Sequence, residues 1–139
     1  MKKFIQSEAM FAAKLSLWRE AREFLERFCL DAAIGRASGL RLNLILEELF
    51  TNTVNHGHRV GSEFFIWISL RSEEDGVAIE YADQAPPFNP LAMAARQLDL
   101  PIEEQKIGGL GVYLTTALTT RADYGYFYGR NRLRLLLPD

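Results

Sequence analysis

Three polar residues recur at four-residue steps in the middle of the chain. On a helix with 100° per residue, Glu48, Asn52 and His56 lie within about 80° of one another, on one edge of the polar face. A carboxylate and an amide one turn apart can hold a hydrated hard cation and can orient a water or a hydroxyl group. The alternative is the solvated face of an ordinary amphipathic helix, and the spacing alone leaves both interpretations open.

A second candidate group is Asp83, which ends a predicted strand and begins the segment Asp83–Pro90. A buried carboxylate at a strand end can accept a hydrogen bond from an exocyclic amine. Such a bond discriminates strongly, because a ligand without the donor leaves the acid unpaired. The alternative is that Asp83 caps a turn, as aspartate commonly does in such places.

A third candidate is the glycine-rich string Gly108-Gly109-Leu110-Gly111, which precedes a predicted helix. Glycines allow a close backbone approach, and the free N–H groups of a helix start favour an anion such as phosphate. The alternative is a flexible linker. A Gly-x-x-x-x-Gly-Lys-[Ser/Thr] sequence is absent, so the chain is not a P-loop protein.

Hydrophobic periodicity and turn residues predict the elements that position these groups. Apolar spacing predicts helices over residues 8–33 and 40–55, separated by Gly35 and Ser38-Gly39 and ended by Gly57. We expect a short edge strand at 3–6, strands at 64–70, 77–82, 122–128 and 133–137, helices at 91–98 and 111–120, and a loop at 99–109. Turns are expected at 73–76 and at Gly129-Arg130-Asn131. The order favours an α+β two-layer sandwich with a mainly antiparallel sheet.

Length and composition limit the possible classes of protein. The 139 residues suit one domain, here residues 1–139, and the net charge of −2 offers no basic surface for nucleic acid. No run of about 18 apolar residues occurs, which predicts no membrane span. The start of the chain lacks the apolar core of a signal peptide, and a single cysteine, Cys29, fits a reducing cytoplasm.

Taken in order, these signals resemble the Bergerat-fold (GHKL) ATPases, and most closely the anti-sigma-factor serine/threonine kinases. The segment Glu48–Gly57 resembles that family's N box, Glu-x-x-x-Asn-x-x-x-His-Gly. Asp83–Pro90 resembles its G1 box, Gly109–Leu114 its G2 box, and Tyr128–Leu133 its terminal hairpin. The resemblance implies a two-layer fold with a mainly antiparallel, mixed sheet that about three helices cover on one face.

The resemblance also implies residue roles. Asn52 would coordinate a Mg²⁺ ion that bridges the ATP phosphates, and Glu48 would take the proton from a protein serine or threonine hydroxyl. Asp83 would bind the adenine amine, and residues 91–108 would form a lid. The other expected nucleotide-binding positions are His56, Ala85, Lys106, Gly108, Gly109, Leu110 and Gly111. The expected partners are a small STAS-type antagonist protein, a sigma factor and a second copy in a homodimer.

Three departures from the family pattern keep a second function open. Ala85 stands where the G1 box usually has glycine, Asn89 replaces its usual aspartate, and the lid contains Pro101 without a basic cluster. The first hypothesis is an ATP-dependent protein serine/threonine kinase, which the carboxylate of Glu48 favours. The second is a module that binds a sigma factor or another regulator with ATP as a structural ligand or without ATP, which Ala85 favours. The ATP-binding half of a histidine kinase is disfavoured, because only His56 and His58 are present and no dimerisation helix pair is seen.

Overall fold

The computed structural model describes residues 4–56, 63–92, 115 and 117–139. Within them the chain forms five strands and two long α-helices, and a 3₁₀ turn at Leu15–Leu17 precedes the first helix. In chain order the elements are β1 (Gln6–Ala12), α1 (Trp18–Asp31), α2 (Arg36–His56), β2 (Phe65–Glu73), β3 (Gly76–Asp83), β4 (Arg121–Phe127) and β5 (Arg130–Pro138). No helix among these residues combines the length and the apolar character that a membrane crossing requires.

The five strands form one sheet in the order β1-β2-β3-β5-β4, and each pairing between described strands is antiparallel. A two-residue turn joins β2 to β3, with Glu73 opposite Gly76, as the sequence predicts. A Cβ atom on Gly76 would lie 2.1 Å from the carbonyl oxygen of Leu137, so β5 passes too close for any other residue. In the strand order given above, β3, which ends at Asp83, is the central strand of the sheet.

The two helices cover one face of this sheet, which confirms the predicted two-layer α+β fold. Alternate residues of the central strands face the helices and are fully or almost fully buried. Aromatic contacts connect the layers: the ring of Phe11 on β1 lies 6.1 Å from Phe24 of α1 and 6.4 Å from Phe50 of α2. The buried residues shared by helices and sheet include Leu25, Phe28, Leu42, Ile45, Leu46, Phe50, Ile66, Ile68, Leu70, Val77, Ile79, Leu133, Leu135 and Leu137.

The prediction for the start of the chain is wrong. We expect a strand at 3–6 and a helix from Glu8, whereas residues 6–12 form strand β1 and α1 begins only at Trp18. From Gln6 to Phe11 exposed and half-buried residues alternate, with Ala9 and Phe11 among the half-buried ones, in the period of two that a strand requires. Pairing of β1 with β2 is a long-range interaction that local apolar spacing cannot show.

The boundary between the helices also differs from the prediction. Helix α2 begins at Arg36 rather than at Leu40, and Gly39 is helical, with its N–H 2.9 Å from the carbonyl oxygen of Gly35. The break falls at Ala33, which adopts a left-handed φ of 55°. The N–H of Ile34 donates to the carbonyl of Cys29 at 2.9 Å, so α1 ends in a Schellman motif with alanine where glycine is usual.

The turn of the last hairpin begins one residue earlier and ends two residues earlier than predicted. Tyr128 and Gly129, with φ values of 53° and 73°, form the turn, and β5 begins at Arg130. Asn131 is therefore not a turn residue but a strand residue opposite Asp83 of β3. The predicted lid and the helices and loop expected from residue 91 onward lie mostly outside the described residues, apart from helical positions at 90–92, 115 and 117–118.

Candidate functional site

The polar edge of α2 lies beside the core, as its spacing predicts. Leu49 and Thr53 are buried, whereas Glu48 and Asn52 are half-buried at the border between the apolar face and the surface. His56 is the last residue of α2, and its side chain is outside the described part of the structure. The helix thus presents Glu48 and Asn52 one turn apart along the same edge.

A cavity of about 220 Å³ lies where α2, the end of β3 and the start of β5 meet. Asn52 and Asp83 both line it, so the structure brings the first and second sequence signals to one site. Glu48 is not among the described lining residues. The full lining consists of Leu49, Asn52, Thr53, Tyr81, Asp83, Ala85, Pro86, Pro87, Phe88, Pro90, Tyr124, Asn131, Arg132 and Leu133.

The carboxylate of Asp83 is 7% exposed and accepts three hydrogen bonds. Its Oδ1 accepts from Nδ2 of Asn131 at 2.8 Å and from the backbone N–H of Ala85 at 3.2 Å. Its Oδ2 accepts from the hydroxyl of Thr53 at 2.8 Å. An ionised carboxylate offers about four acceptor positions, so one position on Oδ2 remains for a donor in the cavity. Asp83 thus caps the turn at Ala85 and can also bind a ligand amine.

The hydroxyl of Tyr81 lies within hydrogen-bond distance of the hydroxyl of Thr53. The two hydroxyl oxygens lie 2.5 Å apart, and the Tyr81 hydroxyl also lies 3.0 Å from the carbonyl oxygen of Leu49. Burial raises the pKa of Tyr81 well above its usual value, so its hydroxyl stays protonated. The Thr53 hydroxyl lies 2.8 Å from Oδ2 of Asp83 and 3.0 Å from the carbonyl oxygen of Leu49, and its single proton serves these two acceptors, while Tyr81 donates toward Thr53 or Leu49.

The segment after Asp83 accommodates both departures from the G1 pattern. Positive φ values among described non-glycine residues occur only at Ala33 and Tyr128, so Ala85 adopts a conformation open to any residue. Asn89 caps the helical turn that begins at Pro90, because its Oδ1 accepts from the N–H groups of Leu91 at 3.0 Å and Ala92 at 3.4 Å. Aspartate would cap in the same way, since only the side-chain oxygen is used.

Glu48 is a carboxylate whose surroundings favour its protonated form more than water does. Partial burial and the neighbouring charge of Glu47 raise the pKa of Glu48 above its ordinary value of 4.5. Within the described ranges, its carboxylate has no hydrogen-bond or ion-pair partner. No group of three or more His, Cys, Asp or Glu side chains in these ranges could hold a metal ion. A Mg²⁺ ion at Asn52 would therefore take most of its oxygen ligands from water and from a bound phosphate, as this ion commonly does.

Five of the predicted nucleotide-binding residues lie outside the described part of the chain, so their assignment to phosphate binding stays a prediction. These residues are Lys106, Gly108, Gly109, Leu110 and Gly111.

Conversely, sequence analysis missed the contributions of Thr53, Tyr81 and Asn131. Thr53 is a buried polar residue of α2, next to Asn52. Asn131 continues the buried alternation of Leu133, Leu135 and Leu137 backward by two residues, and this signal identifies it as an inward-facing strand residue.

The family described as histidine kinase-like ATPase domain matches residues 11–136. No curated protein shows significant sequence similarity to the chain. The matched range includes every residue that lines the cavity.

Proposed function

The chain belongs to the histidine kinase-like ATPase domain family, and from this premise we propose that it binds ATP in the cavity between α2, β3 and β5. The observation that carries the proposal is Asp83, a buried carboxylate that lines the cavity with one acceptor position left on Oδ2. The exocyclic amine of adenine is a donor of the required kind. Guanine presents a carbonyl oxygen at the corresponding position, which a carboxylate would repel.

In this proposal Asn52 lies toward the phosphate end of the nucleotide and holds Mg²⁺ with its amide oxygen. The ion would supply charge neutralisation for the phosphates. Asn52 and Asp83 line the same cavity, which supports their use by one ligand. Thr53, next to Asn52 on α2, donates to Asp83 and so fixes the helix against the strand.

We further propose that the protein is a serine/threonine protein kinase of the anti-sigma-factor type. Glu48 would accept the proton of the substrate hydroxyl, and its half-buried position, raised pKa and lack of a described partner support this function. The proposed substrate is a small STAS-type antagonist protein in the cytoplasm. The family resemblance implies two further partners, which we include in the proposal: a sigma factor and a second copy of the chain in a homodimer.

A second candidate function is a regulator-binding module that does not transfer phosphate. One observation favours it: Glu48 is absent from the described residues that line the cavity with Asn52 and Asp83. In this case ATP would serve as a structural ligand, and Glu48 would be an ordinary surface residue of α2.

Calorimetric titration with ATP and GTP in the presence of Mg²⁺ tests the proposal. We expect binding of ATP with a preference over GTP, and a loss of about 10- to 100-fold in ATP affinity in Asp83→Asn, because the acceptor facing the amine is altered. Asp123→Asn on β4 is the matched control, since Asp123 is exposed and does not line the cavity. Equal affinity of the wild type for ATP and GTP would contradict the assignment of Asp83.

A further inference from the structure

We propose that Asn131 is a positioning residue that aims the carboxylate of Asp83 at the adenine amine. The inference rests on the proposed function, because it concerns the residue to which adenine recognition is assigned. Asn131 lies directly opposite Asp83 in the pairing of β5 with β3, and it is 8% exposed. It acts on the ligand through Asp83 and through the backbone that follows it.

The amide nitrogen of Asn131 fixes the strand end. Nδ2 lies 2.8 Å from Oδ1 of Asp83 and 3.0 Å from each of the carbonyl oxygens of Ala85 and Pro86. Two N–H groups are thus shared among three acceptors. One side chain therefore holds both the carboxylate and the first two residues of the segment that forms the cavity wall.

The amide oxygen of Asn131 accepts hydrogen bonds from a later residue of that segment and from a tyrosine of β4. Oδ1 accepts from the backbone N–H of Phe88 at 2.9 Å and from the hydroxyl of Tyr124 at 2.5 Å. These partners fix the orientation of the amide, since the opposite orientation would place Oδ1 against three oxygen atoms. Both ends of the amide are used, and a side chain with donors alone or acceptors alone could not replace it.

These contacts define the side from which a ligand donor can approach the carboxylate of Asp83. Asn131 and the N–H of Ala85 fill the two acceptor positions of Oδ1, so a ligand donor must approach Oδ2. Thr53 holds Oδ2 from the side of α2, and Asn131 holds Oδ1 from the side of β5. Without Asn131 the carboxylate can rotate, and the selectivity for an amine-bearing base is lost although the acid is still present.

The experiment compares ATP with inosine triphosphate, which lacks the exocyclic amine but keeps the ribose and phosphates. In the wild type we expect a preference for ATP of about 10- to 100-fold by calorimetry. Asn131→Asp keeps the size and the acceptor oxygen but removes the donor. The variant puts an acceptor oxygen where Asn131 donates to Oδ1 of Asp83, so we expect the preference to fall below about threefold.

Two further variants separate the donor from general packing. Asn131→Ala removes both functions of the amide, and we expect loss of the preference. Asn89→Asp makes the same chemical change in the segment that Asn131 contacts, but Asn89 uses only its oxygen, so the preference should not change. A wild-type preference in Asn131→Ala, or an equal loss in Asn89→Asp, would overturn the proposal.

A measurement on the wild type covers the case in which neither Asn131 variant folds. In the nucleotide-free protein the amide proton of Phe88 should be protected from hydrogen exchange by its bond to Asn131. Exchange at the rate of an exposed loop amide would contradict the positioning function directly. If the wild type binds neither nucleotide while the Phe88 amide is protected, the proposed function fails and the contact made by Asn131 stands.

Discussion

The hydroxyl of Thr53 lies 2.8 Å from Oδ2 of Asp83, and this bond ties helix α2 to the end of strand β3. Asn52 immediately precedes Thr53, so this buried bond connects the positions of the two proposed ligand-binding residues. The Tyr81 hydroxyl and the Leu49 carbonyl oxygen lie within hydrogen-bond distance of the same Thr53 hydroxyl. Thr53 therefore joins the two polar signals that the sequence presents 31 residues apart, between positions 52 and 83.

Asn52→Ala should remove most of the Mg²⁺ dependence of ATP binding. The amide oxygen is the proposed protein ligand of the ion, and loss of a group that supports a metal typically lowers metal affinity by about 10- to 100-fold. Titration of ATP with and without Mg²⁺ measures the effect. Asn55→Ala, an exposed asparagine of the same helix, is the control. Unchanged Mg²⁺ dependence in Asn52→Ala would show that the ion is held elsewhere.

Glu48→Gln should retain ATP and partner binding but lose phosphate transfer to serine or threonine by about 10²–10⁴-fold, the usual contribution of a general base. The amide keeps the shape of the side chain and removes its basicity. The measurement is transfer of radiolabelled phosphate from ATP to a STAS-type partner. Transfer at the wild-type rate would exclude Glu48 as the base. Partner binding without transfer by the wild type would support the regulator-binding module.

Glu47→Gln should move the acidic limb of the pH–rate profile to lower pH. The pKa of Glu48 is raised first by partial burial and then by the charge of Glu47. A base acts when it is deprotonated, so activity falls as the pH falls through its pKa. Removing the charge of Glu47 lowers that pKa, while burial keeps it above 4.5. Glu74→Gln, in the turn between β2 and β3, should leave the profile unchanged.

Ala33→Gly should stabilise the protein by about 0.5–1 kcal/mol. Its left-handed φ of 55° strains an L-residue by about 1–2 kcal/mol, and the greater freedom of glycine in the unfolded chain offsets part of the gain. Urea denaturation followed by circular dichroism gives the change in the free energy of unfolding. Ala32→Gly is the control, because Ala32 is right-handed and fully buried, and it should destabilise.

The Ala85→Gly variant tests whether the missing glycine of the G1 pattern limits ATP binding. Ala85 has no positive φ, so glycine brings no conformational relief and costs about 0.4–1 kcal/mol through the unfolded state. We expect a slightly less stable protein. A large gain in ATP affinity, measured by calorimetry, would show instead that the methyl group crowds the nucleotide.

The sequence predicts the parts of this fold that repeat with a local period. The buried alternation in β2 and β3 and the apolar face of α2 at Leu42, Leu46 and Phe50 match the structure. The sequence predicts a helix from Glu8, which overlaps most of strand β1, because Ala9 and Phe11 fit either period and only the contact with β2 decides between them. It predicts the helix break at glycines, whereas the break falls at Ala33, whose left-handed conformation belongs to a Schellman motif.

The site was predictable only where each residue carries its own chemical signal. Asp83 and Asn52 stand out in the sequence as a strand-end acid and a helix-edge amide, and both line the cavity. Asn131 gave no such signal, because asparagine after Gly129-Arg130 is typical of a turn. Its function depends on the register of β5 against β3, which is set by hydrogen bonds between residues far apart in the chain.

Two of the three bonds that the Asp83 carboxylate accepts join residues far apart along the chain: 30 residues to Thr53 and 48 residues to Asn131. Contacts of this kind form only after the chain between them has been closed into a loop, so they belong to the late, non-local part of folding. The acid is therefore oriented only in a molecule whose sheet is complete through β5. A chain that stops before β4 would contain Asn52, Thr53 and Asp83 and still lack the orientation of the carboxylate.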